Sequence, residues 1–131
     1  MTLTTLKFVE NKIISGKADK YINVHVDAAA VIKSWKSSVF SFEWLTPNGT
    51  VKPLEALNDG ERAKREAVEQ DIDQGKNLET PILGIGLMEN VEIGAGRALF
   101  LTLFDKGEKT IPVHIPKSNE KDFAKFIKAK S

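Results

Sequence analysis

The sequence contains no cysteine, so disulfides, thiolate nucleophiles and zinc–thiolate sites are excluded. Long apolar runs are also missing. The longest uninterrupted run, residues 28–32, is far shorter than the roughly 20 residues that a membrane-spanning helix needs. The first residues lack a basic start followed by an apolar stretch, so a cleaved signal peptide is not expected. We therefore expect a cytoplasmic protein that does not bind a membrane.

The chain has no large excess of charge of either sign. Its 19 basic and 18 acidic residues leave a net charge of +1, so no overall field attracts nucleic acid or an anionic surface. What is present is the composition of a globular domain, with 41% hydrophobic and 28% charged residues. A chain of 131 residues buries enough surface for one hydrophobic core, so we expect a single domain over residues 1–131.

Sequence patterns predict two strands and a helix in the first part of the chain. Residues 21–27 alternate apolar with polar side chains, as a half-buried strand does, and residues 3–9 predict a weaker strand. Asp27 is a suitable N-cap for a helix over residues 28–35. Residues 39–45 carry aromatic side chains at period two, which fits either a strand or an aromatic loop across the core. The aromatic residues expected in the core are Trp35, Phe40, Phe42 and Trp44.

The strongest helix signal covers residues 59–74. Asn58 and Glu61 have the spacing of a reciprocal capping box at its start. This helix has a thin apolar stripe and charges elsewhere, which predicts that it lies on the surface of the core. The stripe consists of Ala63, Ala67, Val68 and Ile72.

Buried strands are expected over residues 80–87 and 110–115.

Residues 91–106 permit two interpretations. Leucine alternates with other residues over positions 99–103, as it would on a strand, and residues 105–108 would then turn a hairpin. In the alternative, residues 96–106 form one helix with Gly107 directly after its last turn. Periodicity alone does not decide between strand and helix for a run this apolar, so both interpretations stay open.

The segment Val-Glu-Ile-Gly-Ala-Gly-Arg at residues 91–97 is the strongest candidate for function. If the chain passes here from a strand into a helix, backbone amides converge at the positive end of the helix, where glycine leaves room for a phosphate. Arg97 would add a bidentate guanidinium. The other interpretation is a glycine turn or bulge, with Arg97 in a surface ion pair. The predicted phosphate-binding residues are Gly94, Ala95, Gly96 and Arg97.

The order of motifs around this segment resembles the ParB/sulfiredoxin-like superfamily, which includes ParB-like nuclease domains. An acidic helix and Gly75 precede Pro-Ile-Leu at residues 81–83, and Gly-Ala-Gly-Arg is followed by an apolar stretch and by Thr-Ile-Pro-Val at residues 110–113. The resemblance covers about residues 21–116. It implies an α+β fold, a mixed sheet with helices packed on it. It also implies that residues 94–97 hold a nucleotide phosphate or a DNA backbone.

The chain departs from the pattern of this superfamily at two positions. Gly96 stands where the family has a reactive or polar residue, and Ala98 follows Arg97 where chromosome-partitioning proteins have a second arginine. Sulfinic-acid reduction is excluded because there is no cysteine. The resemblance therefore implies binding of a nucleotide or nucleic acid, with nuclease or nucleotide hydrolase activity as the candidate chemistry.

Two other function classes stay open. One is a non-catalytic protein-interaction or regulatory module on the same scaffold, with a degenerate phosphate site. The other abandons the resemblance for an antiparallel α+β domain in which residues 94–96 are only a bulge. Under that interpretation residues 96–106 are extended, so their conformation separates it from the first two.

Titratable side chains near the glycine segment supply the candidate chemistry. Glu92 is the candidate catalytic residue, a general base two residues before Gly94, and Mg²⁺ is the cation that would accompany a nucleotide. No metal site made by the protein alone is predicted. His25 and His114 lie in apolar frames, which on strands would place them near each other. They are suited either to acid–base chemistry or to packing with satisfied hydrogen bonds.

Residues 117–131 carry an excess of lysine and predict a terminal helix. Asn119 and Asp122 would open this helix, and Phe123, Phe126 and Ile127 would be buried. In a continuous helix, three of the lysines share one face, which fits either a nucleic-acid backbone or a solvated surface. The predicted backbone contacts are Lys117, Lys121, Lys125 and Lys128.

Overall fold

A mixed five-stranded sheet with helices packed around it forms the centre of the fold. The computed structural model describes residues 6–130. Within that range the strands are β1 (Lys7–Val9), β2 (Tyr21–Asp27), β3 (Asn77–Glu79), β4 (Ile82–Ile85), β5 (Val91–Ala95), β6 (Thr110–Pro116) and β7 (Ile127–Lys130). The α-helices are α1 (Ala28–Trp35), α2 (Asp59–Asp73), α3 (Arg97–Asp105) and α4 (Glu120–Phe123). No helix in this part of the chain is both long and apolar enough to cross a membrane.

The sheet has the strand order β5–β4–β6–β2–β7. β2 lies between β6 and β7 and is antiparallel to both, whereas β4 is parallel to β6 and antiparallel to β5. β1 and β3 form a separate parallel pair. Residues 110–115, predicted as a strand, form most of β6. The predicted α+β class and mixed sheet are therefore confirmed.

Of the other predicted strands, one keeps its bounds and two are shorter than predicted. Residues 21–27 form β2 as predicted. The strand predicted over residues 80–87 shortens to β4, because Pro81 has no amide hydrogen to donate and the chain turns toward β5 directly after β4. Of residues 3–9, the last three form β1, while residues 3–5 lie outside the described residues.

Side chains at the start of α1 and α2 cap these helices as predicted. Asp27 Oδ1 accepts a hydrogen bond from the Ala30 amide at 3.1 Å, and Asn58 Oδ1 accepts one from the Glu61 amide at 2.9 Å. The predicted reciprocal bond from Glu61 is replaced by another contact, because its carboxylate accepts from Trp44 Nε1 at 2.9 Å. Glu61 thus ties α2 to the segment that precedes it.

The face that α2 turns to the core differs from the predicted stripe. Ala63 and Ala67 are exposed, so the prediction is wrong for these two residues. The inward face contains two charged residues whose partners lie in other elements: Glu61 bonds to Trp44, and the Arg65 guanidinium bonds to Asp105 Oδ2 at 2.7 Å. The buried and half-buried residues of α2 that define this face are Glu61, Arg65, Val68 and Ile72.

Residues 97–105 are helical, so the helix interpretation of this run is confirmed and the strand interpretation is wrong. Residues 98–103 are buried without interruption, which encloses α3 on all its sides. A helix that is apolar all around is stable only when neighbours cover every face, and α2 packs against one face of α3. Gly107, with φ of 96°, follows the last turn as predicted.

Residues 39–45 do not form a strand. Residues 41–43 form a 3₁₀ turn that serine side chains stabilise, since Ser38 Oγ accepts from the Phe40 amide at 3.2 Å. Trp35 and Trp44 are fully buried as predicted, but Phe40 and Phe42 are 49% and 69% exposed, so the core prediction is wrong for them. The period-two pattern holds only on an extended chain, and the turn points these two rings outward.

The predicted C-terminal helix over residues 117–131 is interrupted. Only α4 is α-helical, with 3₁₀ turns on both sides, and residues 127–130 form β7 instead. Phe123 and Phe126 are buried as predicted, whereas Ile127 is only half-buried. Residue 131 lies outside the described residues. The pairing of β7 with β2 changes the conformation after Phe126, so the lysines do not share one helical face.

Candidate ligand-binding site

The turn from β5 into α3 depends on glycine at two alternate positions, 94 and 96. The pairing of β5 with β4 shifts register between Ala95 and Ile93, which leaves Gly94 as the extra residue of a β-bulge. Gly96 then takes a left-handed conformation with φ of 74° and ψ of 27° as the N-cap of α3. A Cβ at Gly96 would lie 2.9 Å from Pro81 Cα, so only glycine fits this position.

A cavity of about 590 Å³ opens beside this turn. Its walls are the exposed side of α2, strand β3 and residues 94–99 at the start of α3. The first hydrogen bond within α3 runs from the Phe100 amide to the Gly96 oxygen at 2.9 Å. The amides that precede Phe100 in the helix have no intrahelical acceptor, and they lie at the positive end of the helix dipole. The predicted transition from strand to helix is confirmed, and it faces a ligand-sized space.

The charged side chains around the cavity nearly balance. Lys64 pairs with Glu61 at 3.1 Å, and Glu79 Oε1 accepts from the Lys12 amide at 2.8 Å. Burial alone would raise the pKa of Glu61, but hydrogen bonds from Trp44 and Lys64 outweigh it and hold this pKa below its ordinary value. Glu61 is therefore a stable anion near neutral pH. The charged lining residues are Glu61, Lys64, Asp71, Glu79 and Arg97.

The side chain of Arg97 bends away from the helix axis toward residues 35–43. Its Nη1 lies 3.3 Å from Glu43 Oε1, and both side chains are 26% exposed. The guanidinium carbon lies 5.0 Å from the centre of the Phe40 ring and 5.7 Å from that of Trp35. Arg97 Nε is buried and makes no hydrogen bond within the described residues. Arg97 thus forms an ion pair, as the interpretation of a glycine turn or bulge predicts. It also begins a helix, as the interpretation of a phosphate site predicts.

The structure places Glu92 away from the cavity. Its Oε1 accepts from Ser38 Oγ at 2.7 Å, and its Oε2 accepts from Asn90 Nδ2 at 3.1 Å. Its side chain packs over Gly86, where a Cβ would lie 2.8 Å from Glu92 Cγ. Glu92 does not line the cavity beside residues 94–97. These contacts join β5 to the segment after α1 and give Glu92 a structural role.

Replacing Glu92 with glutamine should lower the free energy of unfolding by about 1 kcal/mol, because the amide nitrogen cannot accept the bond from Asn90. Urea denaturation of this variant beside Ser38→Ala, which removes the other partner, measures the effect. Since Glu92 lies outside the cavity, ligand binding by folded Glu92→Gln should equal that of the wild type. Unchanged stability combined with lost binding would contradict the structural role.

His25 and His114 lie near each other, as predicted, on one face of the sheet. Both line a second cavity of about 350 Å³, which shares no residue with the first. His114 Nδ1 is hydrogen-bonded to Asn23 Oδ1, and its Nε2 accepts from the Asn11 amide at 3.1 Å. Burial lowers the pKa of His114, with Glu10 opposing the shift. A neutral His114 therefore holds the backbone of Asn11 against β6 through this hydrogen bond.

The predicted backbone-binding lysines are not brought to the glycine turn. Lys121 and Lys125 lie beside Ile85 and Glu89, at the hairpin end of β4, whereas the glycine turn adjoins the opposite end of that strand. Lys128 pairs with Asp27 at 3.6 Å. Lys117 begins the 3₁₀ turn after β6 and does not line the first cavity. A continuous basic surface joining these four lysines to residues 94–97 is not formed.

Sequence reasoning missed the residues that surround Arg97 and close the cavity. Glu43 lies 54 positions from Arg97, and Glu61 lies 17 positions from its donor Trp44. Neither pair has a local pattern that indicates the contact. Lys64 carried no signal either, because one lysine on a charged helix face is unremarkable in a sequence.

Comparison with known proteins returned no relatives. No protein-family model matches the chain, and neither the curated proteins nor the solved structures include a significant match. Within residues 6–130, no three histidine, aspartate or glutamate side chains are grouped to hold a metal ion. The fold and site thus define a class by geometry alone, namely a small α+β domain with a cavity at the start of a buried helix.

Proposed function

We propose that this chain is a binding module that holds one phosphate group of a small ligand, such as a mononucleotide, in the cavity beside α3. The observation that carries the proposal is the turn at Gly96, which starts α3 at the wall of a cavity of about 590 Å³. Anions bind at helix N-termini because free amides and the helix dipole both favour negative charge there. The resemblance of the motifs to the ParB/sulfiredoxin-like superfamily supports the same choice.

Two cationic side chains add to the attraction for phosphate. Lys64 is 66% exposed and lines the cavity, and its ammonium has three donors, of which Glu61 needs one. Arg97 uses one donor on Glu43 and keeps others available. Both are suited to a phosphate oxygen, Arg97 by bidentate geometry and Lys64 as a mobile point charge.

The carboxylates of the cavity favour a singly phosphorylated ligand over a polyphosphate or a nucleic-acid backbone. Glu61, Asp71 and Glu79 line the same space, and each additional phosphate would approach one of them. Like charges this close disfavour binding, whereas ligand hydroxyl groups could donate to these oxygens. Mg²⁺ would reach the site with a nucleotide rather than through a protein cage. The proposal concerns binding and assigns no turnover.

A titration followed by amide NMR tests this function with inorganic phosphate, AMP, ATP and a short DNA duplex as probes. AMP is expected to shift the amides of residues 95–99, with binding several-fold weaker for ATP and for the duplex. Lys64→Met should weaken AMP binding about tenfold through the lost charge-assisted contact, while Lys33→Met, at an exposed position of α1, should not. If none of the four probes moves these amides in the folded protein, the phosphate proposal is wrong.

Exposed apolar side chains favour a second candidate function, a non-catalytic module that binds another protein. Val39 and Phe42 are exposed on one segment, and Leu87 and Met88 on the turn between β4 and β5. The two segments adjoin, since Glu92 contacts both Ser38 and Gly86. Exposed apolar side chains on adjoining segments are typical of interaction sites. This function becomes preferred if the phosphate titration fails.

A further inference from the structure

Arg97 lines the cavity and also contacts residues 38–43, which we call the latch segment. We propose that the latch segment competes with the bound phosphate for Arg97. In the free protein Glu43 and Phe40 hold the guanidinium, and a ligand phosphate takes it from them. This inference rests on the proposed function of the cavity and adds its regulation.

The hydrogen bonding of Arg97 leaves it suited to exchange partners. Its hydrogen bond to Glu43, the one it makes within the described part of the chain, is 3.3 Å long, whereas charge-assisted bonds are typically about 2.7–2.9 Å. Its buried Nε has no acceptor within residues 6–130, although buried donors are almost always satisfied. A phosphate presents several oxygens and can accept from two guanidinium nitrogens at once. The phosphate therefore offers Arg97 more hydrogen-bond acceptors than Glu43 does.

The contacts that hold Arg97 are weak enough for a ligand to replace. Partly exposed ion pairs contribute little because water screens them and two side chains must be ordered. The Phe40 ring, which covers the guanidinium at 5.0 Å, is itself half-exposed. Its displacement would remove little apolar surface from the core. A phosphate dianion carries more charge than the single carboxylate it displaces.

The backbone of the latch segment is anchored at both ends and at Ser41, whose buried hydroxyl donates to the Ser38 oxygen at 2.9 Å, so the parts that can move are the side chains of Phe40 and Glu43. Ser38 bonds to Glu92, and Trp44, the next residue after the segment, is fully buried and bonds to Glu61. Release of Arg97 would free Glu43 and the ring of Phe40 while leaving both anchors in place. Ligand binding would in this way change the exposed surface formed by residues 39–43.

The test compares AMP binding to the wild type, Glu43→Gln and the charge-matched control Glu55→Gln, whose side chain is exposed on another segment. Removing the competing charge should tighten AMP binding about three- to tenfold in Glu43→Gln and leave Glu55→Gln unchanged. In the wild type, AMP should also shift the ring and amide signals of Phe40. Phe40→Leu, which keeps an apolar side chain but removes the ring over the guanidinium, should tighten binding to a smaller extent.

The outcomes separate this inference from the proposed function. Absence of AMP and phosphate binding in all variants would overturn both. If the wild type binds AMP but Glu43→Gln binds equally or more weakly, or if the Phe40 signals stay unmoved, the competition is wrong and the binding function stands. Should Glu43→Gln fail to fold, Phe40→Leu decides: tighter binding supports the competition, and unchanged binding overturns it.

Discussion

Gly96→Ala is expected to lower the free energy of unfolding by about 2–4 kcal/mol, measured by urea denaturation. Two costs combine at this position. The left-handed conformation, with φ of 74°, disfavours any side chain. The added Cβ would also lie 2.9 Å from Pro81 Cα, and this backbone cannot move freely because the Pro81 oxygen accepts from the His114 amide at 2.9 Å. The start of α3 must therefore shift.

Gly75→Ala is the matched control for this prediction. Gly75 also has a positive φ, 67°, but a Cβ there would meet nothing within 4 Å. Gly75→Ala should lower the free energy of unfolding by only about 1 kcal/mol, which is the cost of the left-handed conformation alone. Equal losses in the two variants would show that contact with Pro81 is unimportant and that the turn tolerates a side chain. Such a result would weaken the case for a close approach of backbone and ligand at residues 94–97.

His114→Leu is expected to lower the free energy of unfolding by about 1–3 kcal/mol at pH 7.5. The buried amide of Asn11 donates to His114 Nε2 and would be left without an acceptor. Denaturation by urea measures the loss. His25→Gln serves as the control, because His25 lines the same cavity but is only half-buried. This substitution should lower the free energy of unfolding by less than His114→Leu does. A His114→Leu variant as stable as the wild type would contradict the stabilising role of the hydrogen bond between Asn11 and His114.

The same contact makes stability depend on pH. The pKa of His114 is below its ordinary value in the folded protein, so the unfolded chain binds this proton more readily. The stabilisation is complete above pH of about 6.5 and is lost as the pH falls below that value, with a slope of up to about 1.4 kcal/mol per pH unit. The difference in stability between the wild type and His114→Leu should shrink from pH 7.5 to pH 5. Parallel curves would exclude this linkage.

Local patterns predicted those elements whose stability depends on neighbours in sequence. Asp27 caps α1 because its carboxylate reaches an amide three residues on, and residues 21–27 alternate because β2 has two different faces. The helix over residues 97–105 was one of two local possibilities, and burial on every side of α3 selected it. Residues 127–130 became a strand because β2 offered an unpaired edge.

The place of the candidate site along the chain could be predicted, but the contacts of its charged side chains could not. The Gly-Ala-Gly-Arg segment indicated a strand-to-helix turn, which the structure contains at Gly96. The contact of Arg97 with Glu43 spans 54 positions, and no periodic pattern encodes it. For the same reason the sequence predicted Glu92 as a general base near residues 94–97, whereas Ser38 and Asn90 hold its carboxylate outside the cavity.

By itself the sequence determined a cysteine-free α+β domain with capped helices and a glycine turn at residues 94–96, and it left the apolar run after that turn as either helix or strand. These features follow from backbone sterics, capping and hydrophobic period, which act over a few residues. Only the tertiary structure decided which charges meet at the cavity, which aromatic rings are exposed and where Arg97 points. Those outcomes depend on distant segments that pack together, and the free energy of such contacts is set by burial and distance rather than by local order.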